Sequence, residues 1–115
     1  MITKCNERNL MTESASQQGN QVLTLDKLIV DDVAPAKLRT YAKASLEPGG
    51  EVSYHVHEGE SESYYILSGR GEYNDDGKCS EVGAGDATFT PSGHGHGIRN
   101  IGDSMLEFMA LIIRD

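Results

Sequence analysis

The sequence predicts an all-β fold, a sandwich or a barrel, and three observations carry that reading. Turn signals recur about every 8–12 residues between runs of strand length. Thirteen glycines against three prolines, with no tryptophan, favour many tight turns and few long helices. The apolar residues alternate or form short runs, and no internal repeat is present. At 115 residues the chain is long enough for one domain with one small core.

Taken in order, residues 1–20 are polar and irregular and read as a flexible N-terminal arm, part of which could pair with a neighbour's sheet. Residues 21–115 form the domain. Gln21 to Val30 supplies one or two strands, ended by Asp31, Asp32 and Pro35. Leu38 to Leu46 alternates, with Thr40, Ala42, Ala44 and Leu46 on one face and Arg39, Tyr41, Lys43 and Ser45 on the other. Periodicity leaves the choice of inner face open: the alanine face would leave room in the core, and the Arg39/Tyr41 face would offer polar contacts to a ligand. Pro48 and the glycines after it suit a turn. In the strand that follows, Val52, Tyr54 and Val56 share one face and read as its buried side. Glu58-Gly59-Glu60-Ser61 reverses the chain as a hairpin, and in the next run Glu62, Tyr64 and Ile66 share one face while Tyr65 and Leu67 share the other. Asn74 to Gly77 is a hairpin turn before a return strand Lys78 to Val82. Ala87 to Thr90 and His96 to Asn100 are short strands joined by a bend at Pro91. Ile101 to Ser104 closes one more hairpin, and Met105 to Ile113 is the last strand.

The formal net charge of −8 and a pI near 4.8 argue against nucleic acid and anionic membranes as partners. Cys5 and Cys79 form no metal-binding pair or disulfide framework and read as reduced thiols. With no signal peptide and no apolar run of membrane-spanning length, the expected location is cytoplasmic.

Chemistry is concentrated between Gly49 and Gly69. His55 and His57, two apart on an extended strand, present both imidazoles on one face. Glu62 falls across the expected hairpin from them. Two neutral imidazoles and a carboxylate on one face are three quarters of a metal site; the plainer alternative is a solvated pair of histidines on an edge strand.

Two spaced motifs then give a family resemblance. Gly49, His55, His57, Glu62 and Gly69 match G-x5-H-x-H-x3,4-E-x6-G, and Gly85, Pro91, Gly93, His96 and Asn100 match G-x5-P-x-G-x2-H-x3-N. With all ten positions filled, residues 38–113 resemble the cupins, in particular small single-domain bacterial ones. The resemblance implies a jelly-roll β-barrel over residues 21–115. It also implies one divalent transition metal per chain (Fe, Mn, Ni, Co or Zn), held by His55, His57, Glu62 and His96. Four protein ligands on a six-coordinate ion leave two positions for substrate, whereas four on tetrahedral zinc would close the site. Asn100 reads as a hydrogen-bonding core residue, His94 as an exposed turn residue, and Arg99 as pointing away from the ion. Glu58 and Glu60 read as solvated turn carboxylates, and Tyr64 as a pocket residue.

Cupins include many enzymes and binding proteins, so the fold alone does not choose a reaction. The expected function is a small metalloenzyme (an oxygenase, lyase, isomerase or decarboxylase) acting on a hydroxy acid, keto acid or sugar acid bound through the metal. The alternative is a non-catalytic cupin that binds or senses a small molecule. No catalytic residue is assigned. A small-molecule ligand and a homodimer, formed through the apolar outer face around Tyr65, Leu67 and part of Met105 to Ile113, are the expected partners.

Overall fold

The computed structural model of the protein describes residues 1–14 and 22–115, and the described residues are almost wholly β. A single 3-10 turn (Cys5–Glu7) precedes ten strands: β1 (Met11–Ser14), β2 (Val22–Lys27), β3 (Leu38–Leu46), β4 (Glu51–Val56), β5 (Glu60–Ser68), β6 (Arg70–Asp75), β7 (Lys78–Gly83), β8 (Ala87–Thr90), β9 (Gly95–Asn100) and β10 (Leu106–Arg114). They form a six-stranded sheet in the order β1-β2-β3-β10-β5-β8 and a four-stranded sheet in the order β4-β9-β6-β7. Every pairing among them is antiparallel. The two sheets pack as a jelly-roll sandwich. No ladder joins their edges among the described residues, so the barrel is flattened and open rather than closed.

Inward faces follow the alternation of the strands. Ala42, Ala44 and Leu46 of β3 are buried, as are Tyr64 and Ile66 of β5 and Leu106, Phe108 and Ala110 of β10. The alanine face of residues 38–46 is therefore the inner one. Tyr73 and Ile98 close the core from the smaller sheet.

Two expected hairpins are instead crossings between sheets. The turn Glu58–Ser61 leads from β4 in the small sheet to β5 in the large one, and Ile101–Ser104 leads from β9 to β10 in the same direction. Glu62 thus faces the histidines from the opposite layer and is not their neighbour on a ladder. Consecutive described strands pair only at β1–β2, β2–β3 and β6–β7. Strand β4 departs from simple alternation as well. Its register against β9 shifts between Val52 and His55, which turns Val52 inward with His55 and leaves Tyr54 and Val56 about half exposed. An irregularity of this kind bends a strand and re-aims its side chains.

Within the expected arm, Met11–Ser14 pairs with β2 of the same chain, and Arg8 makes a two-pronged ion pair with Asp26 at 2.7 and 3.0 Å. The rest of the arm, residues 15–20, lies outside the described residues. Asn100 holds the crossing after β9. It is buried, its amide donates to the Leu46 and Ser104 carbonyls, and its side-chain oxygen accepts from Gly102 N–H. Cys5 and Cys79 are free and exposed, and no described helix is long and apolar enough to cross a membrane.

Candidate metal centre

Four side chains from three places in the chain converge. His55 lies on β4, His57 just beyond it, Glu62 on β5 and His96 on β9. The ladder pairs His55 with His96 directly, and Glu62 arrives from the facing sheet. Backbone hydrogen bonds pin the coil around His57: its N–H donates to the His94 carbonyl, and its own carbonyl accepts from Gly93 N–H at 2.7 Å. One ligand atom from each of the four residues lies within 4.8 Å of every other. His57, Glu62 and His96 are buried and His55 is half-buried.

The far side of each ring decides which nitrogen faces the centre. His55 Nδ1 donates to the Ser53 carbonyl at 2.7 Å, and that oxygen can only accept. His57 Nδ1 donates to the Glu60 carboxylate at 3.0 Å. His96 Nδ1 lies 2.8 Å from the Tyr73 hydroxyl, which in turn contacts Thr90 Oγ1 at 3.0 Å. With Nδ1–H donating to Tyr73 and Tyr73 donating to Thr90, every member of that chain is satisfied. In each neutral imidazole the proton then sits on Nδ1, and the Nε2 lone pair points at the common centre.

This arrangement fits a cation. His57 Nε2 lies 3.1 Å from Nε2 of both His55 and His96, and Glu62 Oε1 lies 2.8 Å from Nε2 of His57 and of His96. Lone pairs this close repel one another unless a positive charge lies between them. Neighbouring ligands of an octahedral ion with bonds of about 2.1 Å stand about 3 Å apart, against about 3.4 Å in a tetrahedron. Four of the separations, at 2.8–3.1 Å, are those of neighbouring ligands on one small ion. Burial pushes the His55 imidazole below its ordinary range, outweighing the hydrogen bond to Ser53. His55 therefore stays neutral and ready to ligate to a lower pH than a free histidine. The sign for stability follows. Between its folded value and about 6.5 the unfolded chain binds the extra proton, so the metal-free protein should lose stability as pH falls through that window. Melting temperatures of chelator-treated protein between pH 7.5 and 5.5 check this, and a flat profile would contradict it.

The sequence reading brought these four residues together and missed what holds them. Glu60, read as a solvated turn carboxylate, is mostly buried: it accepts from His57 and pairs with Arg39 of β3. Burial alone would push its carboxyl up, but the His57 hydrogen bond and the Arg39 charge outweigh that and hold it below the usual carboxylate range. Tyr73 went unremarked, although alternation along Arg70 to Asp75 puts it on the inner face with Gly71. Its partner lies on another strand, and no local signal names it. Burial pushes the Tyr73 phenol up, so the hydroxyl keeps its proton. Removing the hydroxyl in Tyr73→Phe should lower metal affinity about 10- to 100-fold, as loss of an outer partner of a ligating histidine does. A chelator-competition titration would show it, and an unchanged affinity would mean that Tyr73 only fills space.

His94 does not join the cluster. It is half exposed, and its Nδ1 lies 2.8 Å from Asp76, whose carboxyl that contact holds below its ordinary range. Arg99 is exposed and points away, as expected. Tyr64 takes its pocket position, its ring 4.9 Å from that of His96 and 4.5 Å from that of Phe108.

The centre forms one wall of a cavity of about 580 Å³, which His55, His57, Glu62 and Tyr64 all line. Leu23, Leu25, Val52, Phe108 and Ile112 add apolar lining, and Arg114 and the ion pairs Lys27–Asp31 and Arg39–Glu60 add charged lining.

Comparison with known proteins places this geometry in a family. The cupin domain family matches residues 42–112. An oxalate-binding protein of Thermotoga maritima is 39% identical over 113 residues, covering 98% of this chain and 93% of the relative. A crystal structure of a predicted oxalate decarboxylase from Thermotoga maritima superposes with a TM-score of 0.90 over the whole of both chains, at 38% identity. The cupin domain of Schizosaccharomyces pombe Cnp3 superposes with a TM-score of 0.74 over 93% of this chain and 69% of its own, at 19% identity, a likeness of fold alone. By its matched domain, its near full-length relative and its two complete motifs, the chain belongs to the cupin family.

Proposed function

We propose that this protein binds oxalate, or a small acid with the same pair of adjacent oxygens, at a divalent transition metal held by His55, His57, Glu62 and His96. The observation that carries the reading is the convergence of three Nε2 lone pairs and one carboxylate on the wall of a cavity. Six-coordination would leave two neighbouring positions, and oxalate presents two oxygens that can take both. The ion supplies Lewis acidity and a positive charge for the anion. The chain's part is to hold three imidazoles in one tautomer and to surround the ligand with low-dielectric walls, where that attraction is strong. Arg114 adds a positive charge to the lining, whereas Lys27 and Arg39 are paired with Asp31 and Glu60. The name of the Thermotoga maritima relative supports the choice of acid.

Turnover is the second reading, supported by the description of the similar crystal structure as a predicted oxalate decarboxylase. Decarboxylation converts hydrogen oxalate to formate and carbon dioxide, so a proton must reach the carbon that loses carbon dioxide. Glu60 is the cavity carboxylate nearest the histidines besides Glu62, and its partners hold it ionised, which suits it poorly to donate. Binding is therefore the reading we favour.

One titration separates the possibilities. Protein loaded with Mn, Fe, Ni, Co or Zn is titrated calorimetrically with oxalate, beside chelator-treated protein, and the mixtures are then assayed for formate. Oxalate should bind only to loaded protein and be recovered unchanged. Formate equimolar with lost oxalate would establish the enzyme, and equal binding with and without metal would end the proposal.

We also expect a homodimer. Tyr41, Tyr65, Leu67, Phe89 and Ile113 are 37–62% exposed on the large sheet, an apolar face that a second copy would cover. Light scattering should give about twice 12.5 kDa at micromolar concentration, and a monomer mass would contradict it.

A further inference from the structure

The cavity holds more space and more charge than oxalate uses. Oxalate has six non-hydrogen atoms and fills roughly the space of three or four waters, about 100 Å³, whereas the cavity measures about 580 Å³. Its charged lining is unevenly matched. Lys27 pairs with Asp31 and Arg39 with Glu60, so those charges cancel in place. Glu62 and Arg114 remain. Glu62 belongs to the metal centre, where its charge offsets half that of a divalent ion. One positive charge is then left at the centre and a second, separate one on Arg114. A dianion whose two charges stand apart balances both.

Arg114 is placed and oriented to use its charge. It ends β10, and the ladder sets it opposite Glu60. Glu60 and Glu62 share one face of β5, two residues or about 7 Å apart, and ladder partners stand about 5 Å apart. The backbone of Arg114 therefore lies about 8 Å from that of Glu62, within the span of a short carbon chain and its own side chain. Arg114 Nη1 donates to the Ala36 carbonyl at 2.9 Å and to the Leu38 carbonyl at 3.4 Å, which anchors the guanidinium. Its Nε and Nη2 have no partner among the described residues, and no described carboxylate pairs with it. Those two nitrogens present the parallel N–H donors that match a carboxylate.

We propose that the cavity takes a 2-hydroxy or 2-oxo dicarboxylic acid. One carboxylate and the oxygen adjacent to it occupy the metal end, and Nε and Nη2 of Arg114 receive the second carboxylate. The inference rests on the preceding reading of the metal end and specifies the class of acid. A monocarboxylic acid leaves Arg114 unused, and oxalate, with both carboxylates at the metal end, is too short to reach it.

The test uses the full chain loaded with Co(II), titrated calorimetrically with oxalate and with three pairs of acids of equal length. The pairs are 2-hydroxybutanedioate and 2-hydroxybutanoate, 2-hydroxypentanedioate and 2-hydroxypentanoate, and 2-hydroxyhexanedioate and 2-hydroxyhexanoate. A charge-assisted pair of hydrogen bonds is worth about tenfold or more in affinity, so at one length at least the diacid should bind at least about tenfold more tightly than its partner. In Arg114→Gln that ratio should fall by about threefold or more. Arg114 is exposed, so the variant should fold; should it not, Arg114→Met is read in the same way. A ratio below tenfold at every length, with oxalate still bound, would overturn the dicarboxylate and leave the metal reading standing. A ratio that falls less than threefold in the variant would overturn the role of Arg114. Failure of every acid, oxalate included, would overturn both readings.

Discussion

His96→Ala should abolish stoichiometric metal binding and lower the stability of the metal-free protein by about 2–4 kcal/mol. The two effects have separate causes. His96 is fully buried, so alanine leaves a cavity beside Tyr64 and Tyr73, and buried large-to-small changes cost that much. It also removes the ligand nitrogen 2.8 Å from Glu62 and 3.1 Å from His57 Nε2. Metal at a hundredfold excess over its dissociation constant stabilises a folded chain by about 2.7 kcal/mol, which in a domain of this size raises the melting temperature by roughly 10–20 °C. The unaltered protein should show that rise and His96→Ala should not. Elemental analysis beside thermal melts gives both answers, and full metal content in the variant would sink the four-ligand assignment.

The second large effect is expected at Gly69, where the chain passes from β5 in the large sheet to β6 in the small one. Its φ is +89°, a backbone conformation that L side chains rarely adopt. A Cβ there would stand 2.6 Å from the Met105 carbonyl oxygen and 2.9 Å from Leu106 Cα, backbone atoms that have little room to move. Left-handed strain of about 1–2 kcal/mol and overpacking of about 1–3 kcal/mol then add, so Gly69→Ala should cost about 3 kcal/mol or more. Gly59→Ala separates the two causes. Gly59 also has positive φ, +73°, but nothing lies within 4 Å of its would-be Cβ, so only the strain should appear. Equal losses of stability in the two variants, measured by urea unfolding, would refute the steric account.

What the sequence shows and what it hides divide along a physical line. Strand positions, inward residues such as Tyr64 and Ile66, and the outward Arg99 follow from alternation, which is local. The convergence of His55, His57, Glu62 and His96 was legible because their spacing is repeated in a family. The sheet to which each strand belongs was not legible. Glu58–Ser61 and Ile101–Ser104 have the polar, glycine-containing composition of any reversal, and composition does not distinguish a hairpin from a crossing between layers. Partners on strands remote in sequence were hidden as well. Tyr73 reaches His96 across the β6–β9 ladder, and Arg39 reaches Glu60 from the far side of β10, pairings that depend on strand order and not on local pattern. The inward turn of Val52 depends on a register shift that only the ladder with β9 reveals.

The position of β10 has a consequence for how the chain comes off the ribosome. β10 follows every other described strand in the chain, yet it is an interior strand of the large sheet, laddered to β3 on one side and β5 on the other. Until Leu106–Arg114 has left the exit tunnel, the edges of β3 and β5 that will receive it have no partner. The growing chain therefore holds two long strands apart, with the inner faces of Ala42, Ala44, Tyr64 and Ile66 uncovered, until β10 emerges. Unpaired edges and exposed apolar faces are the features through which nascent chains stick to one another. Assembly of this domain is consequently completed by the closing strand and not built up strand by strand from the N-terminus.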